Sequence, residues 1–184
     1  YCGGLTSITI GNGVTSIGSE AFSGCSVLES VTIGNSVTSI GTNAFYGCSA
    51  LKSITIPDAV TSIGSKAFYG CSTLNSVTIS NNVTSIGASA FYGCSGFIGD
   101  LTIGDNITSI GIYAFRDCSG FTGDLTIGNS VTSIEELTFY NCKGFSGSLT
   151  IGNSVTTIGR SAFEFCSGFK GSLIIGNSVT SIGN

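Results

Sequence analysis

A repeat solenoid of stacked parallel strands is the fold class this sequence predicts, and three observations predict it. A phrase of 23 or 24 residues recurs about seven and a half times, most clearly from Val60 to Asn82. The cysteines keep its period: Cys2, Cys25, Cys48, Cys71, Cys94, Cys118, Cys142 and Cys166 stand 23 residues apart up to Cys94 and 24 apart beyond it. Each phrase carries alternating β-branched residues, the period-two signature of a strand. Units of this size hide their apolar side only by stacking on their neighbours. Residues 1–184 therefore read as one solenoid domain.

Within a phrase the elements follow in order. In Leu51 to Ile56, Ile54 and Ile56 share one face and Ser53 and Thr55 the other, which gives a short strand with an apolar inner column. A turn follows at Pro57-Asp58, or Gly-Asn in most units, residue types that preset or tolerate turn angles. Val60 and Ile63 then face inward from a second short strand or extended segment, with Thr61 and Ser62 outside. Gly64 and its equivalents are expected to take a positive φ, where a Cβ clashes. Glu135 replaces that glycine in one unit, so a local distortion is expected there. Ser65 to Tyr69 reads as a short helical turn capped by Ser65 and stopped by Gly70. It carries an aromatic column through Phe45, Phe68, Phe91, Phe115 and Phe139. From Cys94 onward the corner after the cysteine changes to Cys-Ser-Gly-Phe-x-Gly and gains a residue, which should alter the curvature.

Composition narrows the function classes. Six basic and 10 acidic residues give a net charge of −4, with no basic stripe to track a nucleic acid. No apolar run approaches the ~20 residues that span a bilayer, so membrane insertion is not expected. The sequence holds no methionine and shows no polar cap at either end, so it reads as a fragment of a longer protein.

The phrase LxxITIxxxVTSIGxxAFxxCSx resembles the BspA-like leucine-rich repeats, and the match runs through essentially the whole chain. The resemblance implies a right-handed leucine-rich-repeat superhelix, with a parallel β-sheet on one face and short extended or 3₁₀ segments on the other. It also implies a secreted or surface-anchored bacterial protein. Members of that family bind host matrix proteins such as fibronectin and fibrinogen, or join cells. The family has no shared catalytic or ligand residue to carry over.

The cysteines admit three readings. Neighbouring units bring equivalent Cα atoms within the range a disulfide tolerates, but identical positions point the same way. A metal needs ligands converging on a point, typically as close Cys pairs, which a straight ladder does not offer. A column of buried thiols packing as small apolar residues is the reading favoured. Catalysis lacks material: there is no histidine, and the adjacent Glu135 and Glu136 tend to point apart. The expectation is a non-enzymatic chain with no cofactor and no metal.

Two surfaces remain as candidate sites. The outward strand face carries Ser53, Thr55, Ser76, Thr78, Asp100, Thr102, Asp124 and Thr126, a flat, weakly polar surface that suits a long or repetitive partner. A second outward row runs through Thr38, Thr61, Thr84 and Thr108. Tyr46, Tyr69 and Tyr92 form an aromatic strip that could stack on sugar rings or simply cover the neighbouring unit. The leading expectation is adhesion to an extracellular or host-matrix protein at a cell surface. The alternatives are a self-assembling stalk, which would pair the chain with itself, and a glycan-binding module.

Overall fold

The computed structural model describes residues 3–184, so Cys2 of the thiol column lies outside the described residues. The three-residue strands are β1 (Ser7–Thr9), β3 (Ser30–Thr32), β5 (Ser53–Thr55), β7 (Ser76–Thr78), β9 (Leu101–Ile103), β11 (Leu125–Ile127), β13 (Leu149–Ile151) and β15 (Leu173–Ile175). Two-residue strands alternate with them: β2 (Ser16–Ile17), β4 (Ser39–Ile40), β6 (Ser62–Ile63), β8 (Ser85–Ile86), β10 (Ser109–Ile110), β12 (Ser133–Ile134), β14 (Thr157–Ile158) and β16 (Ser181–Ile182). Every pairing is parallel and in register, as in Ser53↔Ser76, Ile54↔Val77 and Thr55↔Thr78. The chain is thus a parallel-strand β-solenoid, each turn contributing one long and one short strand. No described residue is in an α- or 3₁₀-helix, and among the described residues no helix is long and apolar enough to cross a membrane.

The inward positions line up as columns. Phe45, Phe68, Phe91, Phe115 and Phe139 are fully buried, and their rings stack with centroids 5.2–5.4 Å apart. Leu28, Leu51 and Leu74 give way to Phe97, Phe121 and Phe145 in one continuous buried column. Cys25 to Cys142 are buried and free of disulfides. Each thiol from Cys48 on donates to the carbonyl of a phenylalanine in the preceding unit, as Cys94 does to Phe68 at 3.1 Å. The column of reduced, apolar-packed thiols is therefore the reading that holds.

Two local expectations are corrected. The segment Ser65–Tyr69 is a run of turns, not a capped helical turn. Ala67 N–H donates to Gly64 C=O at 3.2 Å and Cys71 N–H to Phe68 C=O at 3.2 Å. The third residue of each turn has a positive φ, 54° at Lys66 and 69° at Gly70, the type II signature. What fixes this shape is a third ladder between units: Lys66, Phe68 and Gly70 donate to the carbonyls of Ala88, Ala90 and Tyr92 at 2.7–2.8 Å. Alternating turns aim every second N–H at the next unit, which a helix would keep for itself.

The second correction concerns the glycine after the short strand. Its φ is not positive. Instead the backbones of adjacent turns crowd together there: a Cβ on Gly64 would lie 2.6 Å from the carbonyl carbon of Gly41, and one on Gly87 would lie 2.5 Å from Ser65 N. Gly18 has nothing within 4 Å of that point. Gly87→Ala is therefore expected to cost about 1–3 kcal/mol through overpacking, while Gly18→Ala stays within about 0.5 kcal/mol; urea melts of the two variants check the contrast.

The expected irregularities also appear, and on opposite sides. The long-strand sheet breaks between β7 and β9, where the period lengthens and Gly99 takes a φ of 79°. The short-strand sheet breaks one unit later, between β10 and β12. There Glu135 occupies the glycine position, and Thr138, fully buried, fills the alanine position. Thr138 Oγ1 is satisfied by Glu135 C=O at 2.8 Å, and the Glu135 carboxylate accepts from Ser133 Oγ at 2.6 Å.

Candidate functional site

The strand face is built by period two: inner isoleucines force their neighbours outward. Ser53, Thr55, Ser76, Thr78, Asp100, Thr102 and Asp124 are exposed and Thr126 half-buried. Register brings them together in two groups. Ser53 pairs with Ser76 and Thr55 with Thr78; Thr102 pairs with Thr126. The break between β7 and β9 separates the groups.

Hydrogen bonding distinguishes the rows. In the second outward row the hydroxyls are consumed by the fold: Thr38 donates to Thr15 C=O at 3.0 Å, Thr84 to Thr61 C=O at 3.2 Å and Thr108 to Thr84 C=O at 3.2 Å. On the strand face, the hydroxyls of Ser53, Thr55, Thr78 and Thr102 are exposed and have no partner among the described residues. The two acids are half engaged. Asp100 Oδ1 accepts the Asp124 N–H at 2.7 Å, and Asp124 Oδ1 accepts the Ser148 N–H at 2.6 Å. Each aspartate thus caps the next turn and leaves its second oxygen to solvent. Beside Thr102, Thr126 and Thr150 an open groove of about 480 Å³ runs across four turns, floored by the Gly-Asn and Gly-Asp corners. It is long and shallow, unlike the enclosed concavity that holds a small molecule.

The tyrosine strip forms as a stack. Tyr46 and Tyr69 lie 4.9 Å apart at 11°, and Tyr69 and Tyr92 lie 4.6 Å apart at 16°. Both faces of Tyr69 are covered by its neighbours, so a ligand would meet ring edges and hydroxyls. The strip also continues where sequence reasoning stopped. Arg116 and Tyr140 occupy the equivalent position in later units, and the Arg116 guanidinium lies 5.5 Å from the Tyr92 ring and 4.5 Å from that of Tyr140. Its cation–π contacts keep the column going through a charged residue. Asp117 sits beside it, with Oδ2 3.5 Å from Arg116 Nε, and its Oδ1 accepts from Asn141 Nδ2 at 2.8 Å. Burial first, then the Asp117 carboxylate that accepts from its hydroxyl, pushes the Tyr92 phenol upward. Following the Tyr46 column one unit further in the sequence would have found Arg116.

Among the described residues no cluster of three or more His, Cys, Asp or Glu side chains could hold a metal ion. No curated protein sequence matches the chain. Among solved structures, it is similar to a leucine-rich repeat protein of T. pallidum, with a TM-score of 0.81 and 25% identity over 90% of this chain and 78% of that one. It shares its fold with a leucine-rich repeat protein of Eubacterium ventriosum, at a TM-score of 0.64 and 20% identity, covering 97% of this chain and 48% of that one. It shares it also with the pneumococcal vaccine antigen PcpA, at a TM-score of 0.62 and 18% identity, covering 95% and 51%. The model of the BspA type leucine-rich repeat region matches residues 1–122 and 122–184, in six copies. With the repeat phrase, the stacked register and that match in agreement, the chain belongs to the BspA-type leucine-rich repeat family.

Proposed function

We propose that this chain is a non-enzymatic repeat region displayed outside the cell, which adheres to extracellular protein through the hydroxyl-bearing strand face. The observation that carries the reading is the contrast between the two threonine rows. One spends its hydroxyls on the solenoid, while the other holds Ser53, Thr55, Thr78 and Thr102 exposed and, among the described residues, without partners. A regular face of this kind spreads recognition over several turns, as repeat architectures do with their extended surfaces. Family membership supports the same reading and the surface location.

Surface plasmon resonance against immobilised extracellular matrix proteins, fibronectin and fibrinogen among them, tests it. Measurable binding is expected. Any single Thr→Ala change should alter affinity less than about 3-fold, since recognition spread over several equivalent turns of an extended repeat surface rests on no one threonine. Lysine at Thr55, Thr78, Thr102 and Thr126 together should abolish it. Failure to bind any matrix protein or cell surface would count decisively against the reading.

A further inference from the structure

The interruption between β7 and β9 is an opening. Paired strands lie about 4.8 Å apart, yet no Cα of β7 comes within 8 Å of a Cα of β9. On the opposite side β8 and β10 remain paired through Ser85↔Ser109 and Ile86↔Ile110, so this turn is held on one flank, while on the other it parts between the Ile98 N–H to Asn75 C=O bond at 3.2 Å and the Asn106 Nδ2 to Asn81 C=O bond at 2.7 Å. A cleft of about 320 Å³ occupies the parting, and one of about 180 Å³ continues it past Ile79 and Thr102.

The two edges of the opening match. In a parallel ladder, alternate residues turn both N–H and C=O toward the same neighbour. The Ile56 N–H reaches Thr78 C=O at 3.0 Å, so Thr78 faces β5, and Val77 and Ile79 face the opening. Across it, Leu101 N–H donates to Asp124 C=O and Gly128 N–H to Ile103 C=O, both at 2.9 Å. Leu101 and Ile103 therefore face β11, and Thr102 and the Gly104 N–H face the opening. No backbone hydrogen bond joins Val77 or Ile79 to Thr102 or Gly104 among the described residues. The cleft floor is apolar, with Phe97 and Leu101 buried beneath it, and Ile98 stands at its rim 66% exposed. The one charged residue lining it, among the described residues, is an acid, Asp100.

We propose that this opening binds an extended peptide strand. The peptide enters between β7 and β9 and pairs its backbone with Val77 and Ile79 on one side and with Thr102 and Gly104 on the other. One inserted strand needs two strand spacings, about 9.6 Å, against a parting wider than 8 Å, and pairing on both sides would restore the sheet. Strand addition of this kind draws affinity from main-chain hydrogen bonds and selectivity from alternate side chains. The floor takes small or β-branched apolar side chains, and Asp100 favours a lysine at its end of the peptide. This occupant lies within the sheet, whereas the adhesion partner lies upon it; the two share Thr102, so amide shifts at Val77, Ile79 and Gly104 and binding to matrix protein report them separately.

The test is an NMR titration of the full chain with an end-capped hexapeptide alternating valine and threonine and carrying one terminal lysine. Shifts and new amide protection are expected at Val77, Ile79, Thr102 and Gly104. The same peptide N-methylated at alternate amides should bind at least 10-fold more weakly. Thr102→Pro removes a donor that faces the opening and spares the bonds to β11, so it should weaken binding 10-fold or more with an unchanged melting temperature. If that variant does not fold, the N-methylated peptide on the native chain decides alone. Absence of shifts at the four amides, or equal binding of the methylated peptide, overturns the proposal.

Discussion

Raising the pH above 9 is expected to unfold this protein steeply. The buried thiols cause it. Desolvation pushes Cys48 from 9.0 up to about 12, with the neighbouring Cys25 adding to the rise. Cys71, Cys118 and Cys142 are driven well upward for the same reason. A thiol whose folded pKa lies above its unfolded value stays protonated in the native state, while the unfolded chain releases its proton. Its stabilising contribution is complete below pH 9 and is lost as pH rises through the interval from about 9 to about 12. Linkage sets the slope at about 1.4 kcal/mol per pH unit for each thiol ionised only in the unfolded chain. Several such thiols acting together make the loss several kcal/mol per unit. Urea melts at pH 8, 9, 10 and 11 measure it, and Cys71→Ala with Cys94→Ala should flatten the slope by two thiols' worth. In the native protein at pH 8 the buried thiols should resist Ellman's reagent, and all eight cysteines should react after denaturation. A flat stability profile between pH 8 and 11 would mean that the thiols are not desolvated.

The largest single substitution is expected at Phe91. Its ring is fully buried. It stacks 5.3 Å from Phe68 and 5.2 Å from Phe115 and meets the edge of Phe97 at 6.0 Å. Phe91→Ala removes all three contacts and leaves a cavity that two rigid turns cannot collapse into, costing about 3–5 kcal/mol. Because each unit leans only on its neighbours, the loss falls on the two interfaces that Phe91 shares with Phe68 and Phe115 and should split the melt into two transitions. A cost below about 1 kcal/mol would mean that the aromatic column does not hold the turns together.

Much of this architecture can be read from the residues. The period of the cysteines, the alternation in Ser53-Ile54-Thr55 and the recurring Ala-Phe pair fix the strands, the columns and the register, because each reflects which side chains must avoid water. The corner from Ser65 to Gly70 is harder to read. Its backbone angles are set by hydrogen bonds to Ala88, Ala90 and Tyr92 in the next unit, a demand that no local pattern records. The recurring glycine at Gly87 stands out in the sequence, but crowding by Ser65 requires it rather than its own φ. Glu135 and the added residue near Gly99 point to both irregularities. The result, a parting between β7 and β9 and a lost pairing between β10 and β12, depends on how a mismatch in turn length is shared between sheets. Of the candidate face, the exposed positions are legible from alternation. The division into free and engaged hydroxyls is not, since Thr55 and Thr61 look alike as residues.

The fifth unit, holding β9 and β10, is fastened to the fourth by its short strand and to the sixth by its long one. Its third ladder nevertheless runs on unbroken, with Phe91 N–H to Ala114 C=O at 2.8 Å and Phe115 N–H to Thr138 C=O at 2.9 Å. A continuous seam thus spans both lost pairings, and any yielding of the rod there would pivot about that seam without severing it.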